Sequence, residues 1–90
     1  MDEKKIVTLK EGYFLERLDG EVTVYHPTLT TAVYLNETGA LIWELCDGER
    51  TIFDIIEILS QQYPESGAQI ENDVKDLIAR LIEHHIAELG

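Results

Sequence analysis

The spacing of apolar residues changes once along this chain, near residue 36, and this change constrains the fold more than any other feature. Before residue 36 the apolar residues stand in short runs typical of strands. After it they recur every three or four residues, as they do along one face of a helix. Ninety residues are enough for one domain. We therefore expect a single domain over residues 1–90, with strands first and helices second.

Three strands are predicted in the first part of the chain. Residues 13–18 and 21–26 flank Asp19-Gly20, a two-residue loop that favours positive φ and closes a hairpin. After a turn at Pro27, residues 30–35 are rich in β-branched and aromatic side chains and predict a third strand. Short connections indicate an antiparallel meander, with its first and third strands at the two edges.

Two helices are predicted next. Asn36 is expected to be the N-cap of the first helix, and Gly48 is expected to end it in the left-handed conformation. Thr51, with Asp54 three residues later, has the pattern of a capping box for the second helix. Pro64 is expected to end that helix.

A third helix is predicted from Ser66 and Gln69, which repeat the capping-box pattern. Six apolar residues follow along one stripe: Ile70, Val74, Leu77, Ile78, Leu81 and Ile82. Because neither a helix stripe nor a sheet face is stable in water, the helices should pack on one face of the sheet. The predicted fold is α+β: a three-stranded antiparallel meander followed by three helices, in a winged-helix-like order.

Composition and charge exclude several classes of protein. The net charge is −11, with 18 acidic residues against seven basic ones, so the field repels the phosphates of nucleic acid. No apolar run approaches the length of about 18 residues that a membrane span requires. The single cysteine, Cys46, allows no internal disulfide and fits a reducing compartment, so we expect a cytoplasmic protein.

The residues that could carry chemistry do not form a catalytic pattern. Cys46 stands in an apolar helix with no histidine near it in sequence, so a buried side chain is expected rather than a nucleophile. His84 and His85 are adjacent on a predicted helix and point about 100° apart, so they do not converge on a metal. We expect no enzyme activity, no metal and no cofactor.

The third predicted strand is the most informative segment. Its residues from Thr31 to Leu35 (Thr31, Ala32, Val33, Tyr34 and Leu35) include no charge and no proline, whereas natural edge strands usually carry such guards. An open edge can bind an extended peptide as an added strand. Three alternatives remain: a cover from the N-terminal tail (residues 1–10, otherwise flexible), a cover from residues 86–89, or pairing with a second copy in a homodimer.

Several motifs carry a resemblance to a known family. They are Asn36-x-x-Gly39 before Trp43, Asp47-Gly48 before the Thr51 helix, and Asp73-Val74 on the last helix. In this combination, over about residues 10 to 90, the chain resembles the family of pyrroloquinoline-quinone biosynthesis protein D, a domain also called the RiPP recognition element.

The resemblance implies a peptide chaperone. In that family the leader of a ribosomally made precursor peptide lies along the third strand and against the third helix, and a partner enzyme, often a radical SAM protein, modifies the peptide. The implied site here combines the strand residues above with the last helix, at Ile70, Asp73, Val74 and Leu77. The chain is less basic in its first half than members that act on the quinone precursor, so the resemblance leaves the peptide and the partner enzyme open.

Two other functions remain as alternatives. A winged-helix regulator would place its last helix in the major groove of DNA, but acidic residues outnumber basic ones on that helix. A scaffold or dimerisation module without a peptide ligand is the third hypothesis.

Overall fold

The structure, a computed structural model, describes all ninety residues and has the predicted order of three meander strands before three helices. It adds one short strand near each end of the chain. The elements are β1 (Val7–Leu9), β2 (Phe14–Leu18), β3 (Glu21–Tyr25), β4 (Ala32–Leu35), α1 (Glu37–Leu45), α2 (Ile52–Gln62), α3 (Gly67–Glu83) and β5 (Ala87–Leu89). The fold is α+β, as predicted.

The meander forms an antiparallel sheet in the order β2-β3-β4, so β2 and β4 are its edges, as predicted. Asp19 and Gly20 both have positive φ, 51° and 82°, which suits a two-residue turn between twisted strands. Glycine accommodates this conformation without steric cost. Side chains alternate across the sheet, and Val22, Val24 and Val33 are buried on its inner face.

The first two helices begin as the sequence predicts. The Asn36 side chain accepts a hydrogen bond from the Gly39 backbone N–H at 2.7 Å. Thr51 and Asp54 form a complete capping box, in which each side chain accepts from the other residue's backbone N–H at 3.0 and 3.1 Å. Each bond satisfies a donor that the helix itself leaves free.

Gly39 allows α1 to start close to the end of β4. A Cβ atom on this residue would stand 3.1 Å from the Cβ atom of Leu35 and 3.3 Å from the Asn36 Oδ1 atom. Both contacts are tighter than ordinary van der Waals packing. The spacing of Asn36 and Gly39 therefore has a physical reason: one residue caps the helix, and the other leaves room for the turn from strand to helix.

The predicted capping box at Ser66 is wrong, because the Ser66 side chain makes no capping hydrogen bond. A 3-10 turn over Pro64–Ser66 leads into α3, and Ser66 has φ −117° and ψ 19° rather than the extended conformation of an N-cap. Its own backbone N–H donates to the Tyr63 carbonyl. The polypeptide thus enters α3 through a preceding turn and not through a side-chain cap.

The two ends of the chain pair with each other. β1 and β5 form a separate antiparallel sheet, in which Thr8 lies opposite Glu88. Ile6 and Gly90 exchange backbone hydrogen bonds of 2.7 and 3.0 Å. The N-terminal tail and residues 86–89, both considered as covers for the third predicted strand, therefore lie along one another and leave that strand uncovered.

The central core lies among the three helices and the β1–β5 pair. Val33 is the residue that the meander contributes to this cluster. The other members are Val7, Ile42, Cys46, Ile52, Ile55, Leu59, Ile70, Val74, Leu77, Ile78, Leu81, Ile86 and Ala87. Trp43 is partly buried against the cluster. None of the helices is both long and apolar enough to cross a membrane.

Candidate peptide-binding site

The outer edge of β4 has no strand beside it. β4 pairs with β3 on one side only, and β1 and β5 belong to the other sheet. The opposite edge, β2, carries Glu16 and Arg17, and the Arg17 side chain forms ion pairs of 3.5 Å with Glu37 and Glu44 of α1. The charged edge and the uncharged edge are thus distributed as the sequence predicts.

The turn between β2 and β3 determines which backbone groups of β3 face β4. A two-residue loop closes on a hydrogen-bonded pair, here Leu18 and Glu21. Hydrogen-bonded and non-hydrogen-bonded pairs then alternate along the strands. Glu21, and every second residue after it, directs its N–H and C=O groups toward β2. Val22 and Val24 therefore direct theirs toward β4.

The same alternation determines which groups of β4 are free. Val22 lies opposite Leu35 and Val24 lies opposite Val33, so these pairs make the hydrogen bonds between β3 and β4. The N–H and C=O groups of Ala32 and Tyr34 consequently point away from the sheet. The open edge is formed by these four backbone groups.

A side chain of α3 supports this orientation. Arg80 Nη2 donates a hydrogen bond of 3.1 Å to the Tyr34 carbonyl oxygen. The carbonyl can accept from a helix that lies outside the sheet because it points outward. The hairpin register and the bond from α3 thus agree on the direction of the Tyr34 carbonyl.

A groove lies beside this edge, where the end of β4 and the start of α1 face α3. It encloses about 300 Å³. Its lining residues are Leu35, Asn36, Gly39, Ile42, Asp73, Asp76, Leu77 and Arg80. We call this space the β4–α3 groove; its walls combine apolar side chains with charged ones.

A second cavity of about 280 Å³ continues from the groove toward the first turn of α3. The two cavities share Asp73 in their walls. Leu41, Leu59, Tyr63 and Ile70 supply the apolar part of the second cavity. The two cavities lie one after the other along one face of α3, and we call them together the channel.

Four of the nine predicted site residues line these cavities, and two more lie at the β4 edge. Leu35, Asp73 and Leu77 line the β4–α3 groove, and Ile70 lines the second cavity. Ala32 and Tyr34 form the edge, and the Tyr34 side chain is 68% exposed.

Three predicted residues have other positions. Thr31 precedes the first residue of β4. Val33 directs its backbone toward β3 and its side chain into the core. Val74 is fully buried and lines neither cavity. These two valines support the walls of the site from inside.

Five residues that line the β4–α3 groove were not predicted as site residues: Asn36, Gly39, Ile42, Asp76 and Arg80. Helical spacing could have found two of them. Residues three and four apart share one helix face, so Asp73 and Leu77 imply Asp76 and Arg80 on the same surface of α3. Asn36 and Gly39 were assigned only to the helix start, because their contact with the groove depends on the angle between β4 and α1.

The reactive side chains lie outside this site. Burial raises the pKa of the Cys46 thiol to about 12, and the negative charge of Asp47 acts in the same direction. The thiol donates to the Ile42 carbonyl at 3.2 Å. No group of three or more histidine, cysteine or acidic side chains is arranged to hold a metal. The site offers backbone pairing and apolar contacts.

Fold and site together define a class of protein: a small α+β domain with one strand edge free to pair with an extended chain. Comparison with known proteins identifies the family. The family model described as coenzyme PQQ synthesis protein D (PqqD) matches residues 21–87. The chain belongs to this family, in agreement with the resemblance noted from its motifs.

Individual relatives agree with this assignment. A PqqA binding protein of Klebsiella pneumoniae (strain 342) is 33% identical over 81 residues, covering 87% of this chain and 84% of the relative. A PqqA binding protein of Rahnella aquatilis is 46% identical over 46 residues, and this match covers 51% of the chain and 47% of the relative. The second match thus spans about half of each protein.

A solved structure shares the fold. TbiB1, in complex with the TbiA(beta) leader peptide, superposes with a TM-score of 0.70 over 90% of this chain and 94% of the other, at 21% sequence identity. At this identity the likeness concerns the fold alone.

Proposed function

We propose that this chain binds the leader segment of a ribosomally made precursor peptide as an added strand on β4. The chain then presents the peptide to a modifying enzyme. One observation carries the proposal: the N–H and C=O groups of Ala32 and Tyr34 point outward beside a groove with both apolar and charged side chains in its walls. Family membership supports it, because relatives are named PqqA binding proteins.

The site divides affinity and sequence preference between two kinds of contact. Hydrogen bonds to Ala32 and Tyr34 can be made by any extended chain, so they contribute affinity without regard to sequence. Alternate side chains of an added strand point to the same side, so every second peptide residue would face the channel along α3. Leu35 and Leu77 in the groove, with Ile70 in the second cavity, favour apolar side chains there.

The consequence for the peptide is a higher local concentration at the enzyme. A tethered leader turns the meeting of core peptide and active site into an intramolecular event. This role requires no bond to be made or broken by the chain itself. We propose a radical SAM protein as the partner enzyme and the cytoplasm as the compartment. The resemblance to the family supports the partner, and the unpaired Cys46 supports the compartment.

A DNA-binding role finds no support on α3. Lys75 is engaged by Glu3 and Glu71, with Nζ to Oε1 distances of 3.3 and 3.4 Å. Arg80 is bonded to the Tyr34 carbonyl. Both cations of the helix that would enter the major groove are therefore committed within the domain.

The test is a titration of the isotopically labelled chain, followed by backbone amide NMR. The probes are the PqqA peptide and the small peptides encoded beside this gene. We expect the largest shifts at residues 31–35 and along the exposed face of residues 69–80. Shifts confined to other surfaces, or none with any of these peptides, would contradict the proposal.

Ala32 offers a matched pair of variants for the same titration. Ala32→Pro removes an outward N–H and leaves the β3–β4 hydrogen bonds in place, so peptide affinity should fall by tenfold or more. Ala32→Ser keeps the N–H and should bind like the parent. A proline at Val33 would be a poor test, because the Val33 N–H pairs with β3 and the sheet itself would be damaged.

A further inference from the structure

One side-chain hydrogen bond connects distant parts of the chain. Arg80 Nη2 donates to the Tyr34 carbonyl across 46 positions of sequence. The other side-chain contacts between distant parts of the chain, such as Lys75 with Glu3, join two charged side chains. The Arg80 bond instead reaches a backbone carbonyl, and it lies at the open edge of β4.

The bond occupies space that an added strand would need. Neighbouring strands lie about 4.8 Å apart, with N–H groups directed at the carbonyls of the partner strand. Arg80 Nη2 stands 3.1 Å from the Tyr34 oxygen, between β4 and α3. An added strand would direct an N–H group at the same oxygen, so the guanidinium and the peptide compete for the Tyr34 carbonyl.

A second partner for the guanidinium is available in the same groove. Asp76 lies four positions before Arg80 on α3 and lines the β4–α3 groove with it. Side chains four apart on a helix are within reach of each other. Asp76 forms no ion pair in this structure. The guanidinium can therefore rotate from the strand to a carboxylate without leaving the groove.

We propose that Arg80 guards the β4 edge in the free protein. When a peptide strand pairs with β4, the Arg80 guanidinium leaves the Tyr34 carbonyl and binds the Asp76 carboxylate instead. The proposal rests on the proposed function, because the strand for which Arg80 makes way is the leader peptide. A guard of this kind also opposes pairing between the bare β4 edges of two copies. The Arg80–Tyr34 hydrogen bond thus closes the edge to unspecific strands, and a ligand that replaces this bond can pair with β4.

The first experiment compares two variants of α3 that each lose one positive charge. Arg80→Met keeps the aliphatic stem and removes the donor. Lys75→Met is the matched control on the same helix, away from β4. Since an exposed charge-assisted bond no longer competes, Arg80→Met should bind the PqqA peptide roughly fivefold more tightly than the parent. Lys75→Met should leave the affinity unchanged.

The second experiment tests the destination of the guanidinium. Asp76→Asn removes the waiting carboxylate, so release of Tyr34 becomes less favourable and affinity should fall about twofold. In the Arg80→Met background the same substitution should have no effect. A double-mutant cycle of the four proteins separates this coupling from any direct contact between Asp76 and the peptide.

The outcomes test the guarding role of Arg80 separately from peptide binding by the chain. If the parent binds peptide and Arg80→Met binds it equally or more weakly, Arg80 does not guard the edge, and the proposed function stands. An equal effect of Asp76→Asn in both backgrounds would show that Asp76 does not receive the Arg80 guanidinium. If neither the parent nor Arg80→Met binds any of the peptides, the proposed function fails and the guard fails with it.

Discussion

The His26 side chain holds the turn that leads into β4. Its Nδ1 atom accepts from the backbone N–H groups of Thr28 and Leu29 at 3.1 and 3.2 Å. It can do so only when it carries no proton, so the ring is the tautomer protonated at Nε2. The ring packs edge-on against Tyr13, with centroids 5.1 Å apart. This role could not be predicted from the sequence, since histidine is not among the usual turn-forming residues.

We predict that His26→Ala lowers the free energy of unfolding by about 1 kcal/mol, since two turn N–H groups lose their acceptor. His26→Asn should recover part of this loss, because an asparagine carbonyl accepts from the same turn positions. Urea unfolding of the three proteins measures the effect. Equal stability of the alanine and asparagine variants would show that the ring contact with Tyr13, and not the hydrogen bonds, stabilises the turn.

The Cys46 thiol makes stability depend on pH in alkaline solution. Its pKa is raised from 9.0 to about 12 in the folded chain, so above pH 9 the unfolded chain loses a proton that the folded chain keeps. The stabilising contribution is complete below pH 9 and is lost as pH rises toward 12. The free energy of unfolding should therefore fall in this interval by up to about 1.4 kcal/mol per pH unit from this group.

Cys46→Ala isolates that contribution from the tyrosines and lysines that titrate in the same interval. The variant should be less stable than the parent at pH 8, and the difference should shrink as the pH rises to 11. Urea unfolding at both pH values is the measurement. A difference that stays constant would mean that the thiol is accessible to solvent in the native state.

At the scale of elements, the β1–β5 pair is the feature that the sequence did not reveal. Ile6 and Gly90 exchange both backbone bonds, so Thr8 and Glu88, two residues further along, also form a hydrogen-bonded pair. The Glu88 N–H thus lies inside the ladder. Its side chain is exposed and forms an ion pair of 3.6 Å with Lys10.

We predict that Glu88→Pro lowers the free energy of unfolding by at least about 1 kcal/mol, because the Glu88 N–H is lost from the ladder. Glu88→Ser keeps the N–H and loses the same ion pair, so it should be nearly neutral. Chemical unfolding of both variants distinguishes them. Similar stabilities would indicate that the two ends contribute side-chain packing only.

The elements differ in how far the sequence determines them. Asn36, the Thr51 box and the Asp19-Gly20 turn act within three residues, so their local patterns predicted them correctly. Ser66 has the same local pattern as Thr51, but the turn at Pro64 imposes a different backbone before α3. β1 and β5 are three residues each and meet only after the helices have packed, so no local signal marks them as partners.

The candidate site follows the same rule. The uncharged strand and the apolar stripe of α3 were visible in the sequence, and the register that turns Ala32 and Tyr34 outward is implicit in the two-residue turn. The Arg80 bond could not be found, because it depends on the distance between α3 and β4. Four predicted residues belong to the core, namely Val33, Ile70, Val74 and Leu77, but the two valines line neither cavity. Apolar spacing alone does not distinguish a residue that only fills the core from one that also lines the groove.

At the scale of the whole molecule, charge opposes folding. The net charge is −11, and the ion pairs that partly offset it lie at the surface. Exposed pairs contribute little, about 1 kcal/mol or less each. The remaining acidic groups repel one another across a chain whose Cα radius of gyration is 12.6 Å.

We predict that salt stabilises this protein. Raising sodium chloride from about 0.02 to 0.5 M shortens the screening length to roughly 4 Å and weakens the repulsion. The melting temperature should rise across this range, as followed by circular dichroism. Potassium chloride should act equally, because screening does not distinguish the cations. A falling melting temperature would mean that the surface ion pairs outweigh the repulsion.

The pairing of β1 with β5 also makes the chain nearly circular. Its two ends meet at one sheet, and that sheet contains none of the strands that carry the open edge. A short linker could join Gly90 to Met1, and new ends could be opened between Asp19 and Gly20, without cutting any helix. A permuted protein of this kind would carry the same β4 surface. Equally, a fusion before residue 1 or after residue 90 attaches at the same place, so the domain can be joined to a larger protein in either order with the β4 surface facing the same way.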